Sequence, residues 1–208
     1  MQKRYDDIFT PRELLTLSSI IQVGEATYRE LMETQYPMFR HPYMRDIKGR
    51  IRTKLVQIQC ELESHDPKFP FEFVQHEFEY GHIIPELRNG KVILHIARSS
   101  SPEVLPYPSS YKISLSNNNH TLNRQMVMDF GQPISCVDEP YYGILTFGGR
   151  EQTFSVIQFP EPGYESVAES IILPQTYPDE ISENAEIFER KKAVLKNEFL
   201  AQPFEEVI

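Results

Sequence analysis

The apolar pattern of this chain changes period once, near residue 66, and that switch constrains the fold more than any other feature. Before it, apolar residues recur in threes and fours. Leu14, Leu17, Ile21, Gly24, Tyr28 and Leu31 make one such row, and Met44, Ile47, Ile51, Leu55, Ile58 and Leu62 make a second. This spacing lines one face of an α-helix. Thr10-Pro11-Arg12-Glu13 has the form of a capping box with proline at the first helical position. The first helix is therefore predicted over 11–34 and ended by Pro37, and the second over 42–64 with Pro42 near its start. Gly24, set in a continuous apolar row, reads as a close helix contact.

After "ESHDPKFP" the pattern becomes aromatic and strand-like. "FEFVQHEFEYGHII" reads as strand. Asn89-Gly90 lies between strand-like runs and is the best short hairpin signal in the chain. "PYYGILTFGGREQTFSVIQFP" reads as a second hairpin turning near Gly148-Gly149. Between the hairpins lies a long polar stretch, 99–140, rich in turn formers, with a short helix expected near 117–129. A final helix is expected from about Asp179 to Gln202. The fold class is thus α+β: two N-terminal helices, a mostly antiparallel sheet of four or more strands, and a C-terminal helix. The segments are 1–66 (helical), 67–175 (β-rich, carrying the 99–140 loop) and 176–208 (acidic helix), expected to form one compact domain.

Composition narrows the function classes. Hydrophobic residues make up 40% of 208, with 13 Phe and 11 Tyr, which suits a packed core rather than a disordered chain. Two cysteines, Cys60 and Cys136, cannot build a disulfide framework or a four-cysteine zinc site. No window approaches the roughly 20 apolar residues a membrane span needs, and the N-terminus carries no apolar signal segment. The expectation is a cytoplasmic protein without membrane contact.

The net charge of −9 argues against a uniformly nucleic-acid-binding surface. Charge is segregated, however. Arg40, Arg45, Lys48, Arg50, Arg52 and Lys54 fall within fifteen residues that hold one acid, Asp46. On a helical wheel Arg45, Lys48 and Arg52 flank one side of the apolar row, and Arg50 and Lys54 the other. Asp46 and Arg50 are spaced to pair. From Glu161 onward there are eleven acids and four bases, a net of −7. The basic helix could lay its stems along the core edge, meet the acidic C-terminal helix, or bind phosphate.

Catalytic patterns are weak. "HEFEYGH" lacks the H-E-x-x-H spacing, and along one strand His76 and His82 would lie about 20 Å apart, too far to share an ion. If Asn89-Gly90 closes a two-residue turn, Ile84 faces His95 and His82 lies diagonal to it, so His82 and His95 are polar-site candidates. Two histidines alone make a poor metal site, and neither a metal nor a cofactor is expected. A nuclease would draw on Glu77, Glu79, Glu86 and Lys91, but Glu86 and Lys91 flank the turn and are expected at a solvent-facing tip. Cys60 falls on the wheel face opposite its apolar row. No serine or cysteine carries a nucleophile signature.

These observations favour a non-enzymatic binding or regulatory protein. It would act through protein contacts or self-association at the C-terminal helix, or through nucleic acid at Arg40, Arg45, Lys48, Arg50, Arg52 and Lys54. The rival expectation is a nuclease-like hydrolase with its site under the 99–140 loop.

Overall fold

The structure is a computed structural model that describes residues 8–35, 41–78, 81–121, 139–149, 153–174 and 183–201. The chain is α+β and divides into two compact units. A helical unit lies within 11–69 and 174–208, and a sheet unit within 1–10 and 70–173. No helix among the described residues is long and apolar enough to cross a membrane.

The helical unit contains α1 (Pro11–Glu30, extended by a π-helical turn, Leu31–Gln35) and α2 (Arg45–Ser64, entered through a 3₁₀ turn, Pro42–Met44). The C-terminal helix of the chain, Glu183–Ala201, packs against both. Val23 and Leu31, Leu55 of α2 and Leu195 of the C-terminal helix form the buried centre, ringed by Tyr28, Ile51, Ile58, Leu62, Phe188 and Phe199. Gly24 is where α1 approaches α2, since a Cβ there would lie 2.6 Å from Val56 Cγ2.

The buried arc of α2 is wider than its apolar row and shifted round the helix: Leu55, Val56, Gln59 and Cys60 are buried. Cys60 therefore does not sit on an open face as the wheel suggests. The helix is contacted by α1 on one side and the C-terminal helix on another, so burial spreads past a single stripe.

The sheet unit holds six strands in sequential order: β1 (Glu72–Phe78), β2 (His82–Arg88), β3 (Val92–Ser99), β4 (Tyr141–Gly148), β5 (Phe154–Pro160) and β6 (Val167–Ile172). Every neighbouring pair is antiparallel except β3 and β4, which run parallel. Parallel neighbours need a crossover connection. The described part of the 99–140 stretch supplies it, with α3 (Ser110–Ser116) and a 3₁₀ turn, Asn117–Thr121. α3 precedes the 117–129 segment where a helix is expected, of which 122–129 lies outside the described residues; Ser109 caps α3 by accepting from the Lys112 N–H. With α3 introduced, the C-terminal helix is α4.

Two expectations about register change. The 71–84 stretch is not one strand. Phe78 pairs with His82 and His76 with Ile84, with Gly81 at φ +68°. His76 and His82 therefore lie on adjacent strands. At Asn89-Gly90 the connection is longer than two residues, since Arg88 pairs with Ile93. The Asn89 side chain accepts from the N–H groups of both Lys91 and Val92, and Gly90 takes φ +80°. Glu86, not Ile84, consequently faces His95. A two-residue shift keeps every side chain on its face. It moves His82 four positions from Glu86, about 13 Å along the strand, which removes the expected diagonal with His95.

Alternation gives the sheet two unlike faces. One carries Leu87, Leu94, Leu145, Phe147, Ile157 and Phe159, all fully buried. The other carries His76, Glu86, Arg88, His95, Tyr142 and Gln158, and the crossover lies over it. Asn119 fastens the crossover: it donates to the Tyr142 and Pro160 carbonyls and accepts from the Tyr142 N–H. Gln158 donates to the carbonyls of Pro102 and Val104, and Tyr164 to that of Pro106.

Candidate functional site

The polar face of the sheet converges on one carboxylate. Glu86 of β2 is 0% exposed, not at a solvent-facing tip. Its neighbours in register, Val74 and His95, and the crossover above it exclude water. Oε1 accepts from His95 Nε2 (2.8 Å) and from the Tyr111 hydroxyl (2.6 Å), which α3 brings over the strand. Oε2 accepts from Arg88 Nη2 (2.7 Å) and Nε (3.2 Å) and lies 3.1 Å from His76 Nε2. His95 Nδ1 is 2.9 Å from the Tyr142 hydroxyl. A neutral His95 with its proton on Nε2 satisfies this chain: Tyr142 donates to His95, and His95 donates to Glu86.

The electrostatics follow from these contacts. Burial alone would raise the Glu86 pKa, but the bonds from His95, Tyr111 and Arg88 outweigh it and bring it down to about 2. Tyr111 is pushed up to about 12 by burial and by donating to that carboxylate. Burial drives Tyr142 well above the ordinary phenol range. Glu86 is thus a buried anion at neutral pH with both oxygens occupied. It has no spare lone pair for a substrate proton or a metal ion. The outer members of the cluster reach solvent: the side chains of His76 and Arg88 are 35% and 34% exposed, and Tyr111 is half-buried.

The other predicted residues disperse. Arg40 lies outside the described residues, as does Cys136. Arg45 opens α2, and its side chain, like that of His82, is also outside them. Arg52 grips Glu25 of α1 through two nitrogens, Nε at 2.5 Å and Nη2 closer still, with its guanidinium 5.7 Å from the Tyr28 ring centre. Lys48 is half-buried; Arg50 and Lys54 are exposed. Among the described residues none of these three has an ion-pair partner, and the expected Asp46–Arg50 pair does not form. Among the described residues no acid of α4 pairs with a base of α2. The ion pairs run the other way: Lys192 and Lys196 of α4 hold Glu30 of α1, and Lys191 holds Glu63 of α2.

Arg50 and Lys54 continue an exposed row. Ile47, Arg50 and Lys54 follow at steps of three and four on one face of α2, and Tyr43 (85% exposed) stands in the 3₁₀ turn that leads into it. His41 stands beside Tyr43 with ring centres 5.0 Å apart.

The nuclease group does not assemble. Glu77 faces away from Glu86, Glu79 is outside the described residues, and Lys91 sits at the β2–β3 turn. No group of three or more His, Cys, Asp or Glu among the described residues is arranged to hold a metal ion. The residues that sequence reasoning passed over are Glu86 as a buried hub, Arg88 and Tyr111. One signal for the first was available: Glu86 and His95 share a sheet face in either hairpin register. Comparison with known protein families, characterised proteins and solved structures gives no match.

Proposed function

We propose that this chain is a non-enzymatic binding protein that engages nucleic acid through the exposed row of α2. One observation carries the reading. Arg50 and Lys54 are exposed and have no ion-pair partner among the described residues, while three acids of the packed helices are engaged with other cations: Glu25 with Arg52, Glu30 with Lys192 and Lys196, and Glu63 with Lys191. Two uncompensated cations on a chain of net charge −9 favour an anionic partner. The adjoining Tyr43 and His41 rings suit stacking on unpaired bases.

The test is fluorescence anisotropy with a labelled single-stranded oligonucleotide at low salt. The Arg50→Glu/Lys54→Glu variant is expected to bind at least about tenfold more weakly, since each lost phosphate contact removes a salt-sensitive attraction. Lys68→Glu/Arg98→Glu, with the same change in net charge, keeps most of the affinity. Equal losses in both variants would remove the assignment to α2.

The hydrolase reading is supported by one feature, the convergence of His76, Glu86, Arg88, His95 and Tyr111 beneath the crossover. Turnover of RNA that is lost in His76→Ala and retained in Arg50→Glu/Lys54→Glu would favour it over binding alone.

A further inference from the structure

The Glu86 cluster has an inner side that is saturated and an outer side that is not. His76 Nε2 points inward: it lies 3.1 Å from Glu86 Oε2, 3.2 Å from Arg88 Nη2 and 3.5 Å from the Tyr111 hydroxyl. Its Nδ1 has no hydrogen-bond partner among the described residues. Arg88 likewise commits Nε and Nη2 to Glu86, and its Nη1 has no partner there. Two nitrogens from adjacent strands are thus left over, on side chains whose inner nitrogens are 3.2 Å apart and which are one third exposed.

Their mounting is rigid, because both are tied to a carboxylate that is itself fully buried. The ordering cost of placing two donors is met by the fold. An aromatic wall adjoins them. The Tyr111 ring centre is 5.6 Å from that of His76 and 5.4 Å from that of Phe78, the latter pair edge to face. Phe78 and Tyr111 are only half-buried.

We propose that this outer side is a binding site for a nucleotide, a phosphate carried on the sugar of a nucleoside. Arg88 Nη1 and His76 Nδ1 hold the phosphate oxygens, and the Phe78–Tyr111 wall receives the base. A guanidinium with a free edge suits a phosphate oxyanion, and an imidazole N–H adds a second donor. The charges facing the site are Glu86 and Arg88 on β2, Tyr111 on α3 and the exposed Glu72, which pairs with Arg88 in register. Arg88 and Glu86 offset each other, so Arg88 offers the phosphate directed N–H donors rather than net charge, and among the described residues Glu72 adds an opposing charge. The proposal concerns binding in the sheet unit and does not depend on the α2 reading. The phosphate could belong to a free nucleotide or to a nucleic-acid chain.

The test follows the His76 Cε1–H resonance of the full-length protein, assigned by its loss in His76→Gln. It is titrated with inorganic phosphate, adenosine and adenosine 5′-monophosphate. Saturable shifts with phosphate and with the nucleotide are expected, tighter for the nucleotide, and a much weaker response to adenosine. No saturable shift with phosphate or nucleotide, or an equal response to adenosine, would overturn the proposal. Arg88→Gln is expected to weaken the nucleotide by about tenfold or more, the loss of one charge-assisted bond. Arg88→Gln also removes a partner of Glu86, so the wild-type titration stands without it. Glu72→Gln, an exposed change, is expected to tighten binding, and weaker binding there would count against the placement. A short single-stranded oligonucleotide separates the sources. A His76 shift that survives Arg50→Glu/Lys54→Glu assigns a chain phosphate to this site, and one abolished by that variant would place the oligonucleotide's phosphate on α2 instead.

Discussion

Replacing Glu86 by glutamine keeps the shape of the side chain and removes its charge. In the wild type Oε1 accepts from His95 and Tyr111, and Oε2 from Arg88. A glutamine must turn its NH₂ toward one of these sets of donors, so at least one buried donor loses its partner. Breaking a buried charged network in this way costs about 3–5 kcal/mol. The pH dependence gives an independent magnitude. The Glu86 pKa falls from 4.5 to about 2 on folding. At 1.36 kcal/mol per pKa unit, that contributes about 3 kcal/mol. Because the folded value is depressed, this contribution is complete above the unfolded pKa and is lost as pH falls through it toward 2. The assay is urea unfolding of wild type and Glu86→Gln at several pH values from 7 to 2.5, read by amide exchange in β2 and β3 so that it reports the sheet unit. The wild-type advantage should be full at pH 7 and shrink by about 3 kcal/mol toward pH 2. Parallel pH curves, or a difference under about 1 kcal/mol at pH 7, would refute the hub argument.

Two further predictions concern the helical unit. Arg52→Met leaves Glu25 buried without its ion partner and should cost about 3–5 kcal/mol, whereas Arg52→Met with Glu25→Leu should recover most of it, measured as a double-mutant cycle. Gly24→Ala should destabilise by about 1–3 kcal/mol despite alanine's better helix propensity, because its Cβ would meet Val56. Adding Val56→Ala should offset part of that cost, read by urea midpoint.

The three long helices were legible because their apolar periods extend over several turns and act locally. The β4–β5 hairpin announced itself through Gly148-Gly149. The β1–β2 reversal did not, since its only glycine is Gly81 and the aromatic run continues across it. Strand β6 was also silent. It is an edge strand with Ile172 79% exposed, so its alternation carries little apolar signal. The candidate site was hidden for another reason. Glu86 sits three residues before a turn, which reads as solvent, and its burial depends on Tyr111, 25 residues away, and on a crossover implied only by the parallel β3–β4 pair. The charge segregation was visible, but its resolution was not. Arg52 pairs with an acid 27 residues earlier, and the acidic helix contributes lysines. Net segment charge does not say which side chains of a helix face its neighbours.

The proposed hold of the exposed α2 row on nucleic acid rests on charge. The most direct measurement is the salt dependence of oligonucleotide affinity, plotted as log K against log salt. With the two cations Arg50 and Lys54 engaged on a single strand, the slope should be about −1.4 for wild type and approach zero for Arg50→Glu/Lys54→Glu. A wild-type slope near zero, or a steep slope unchanged by that substitution, would contradict it.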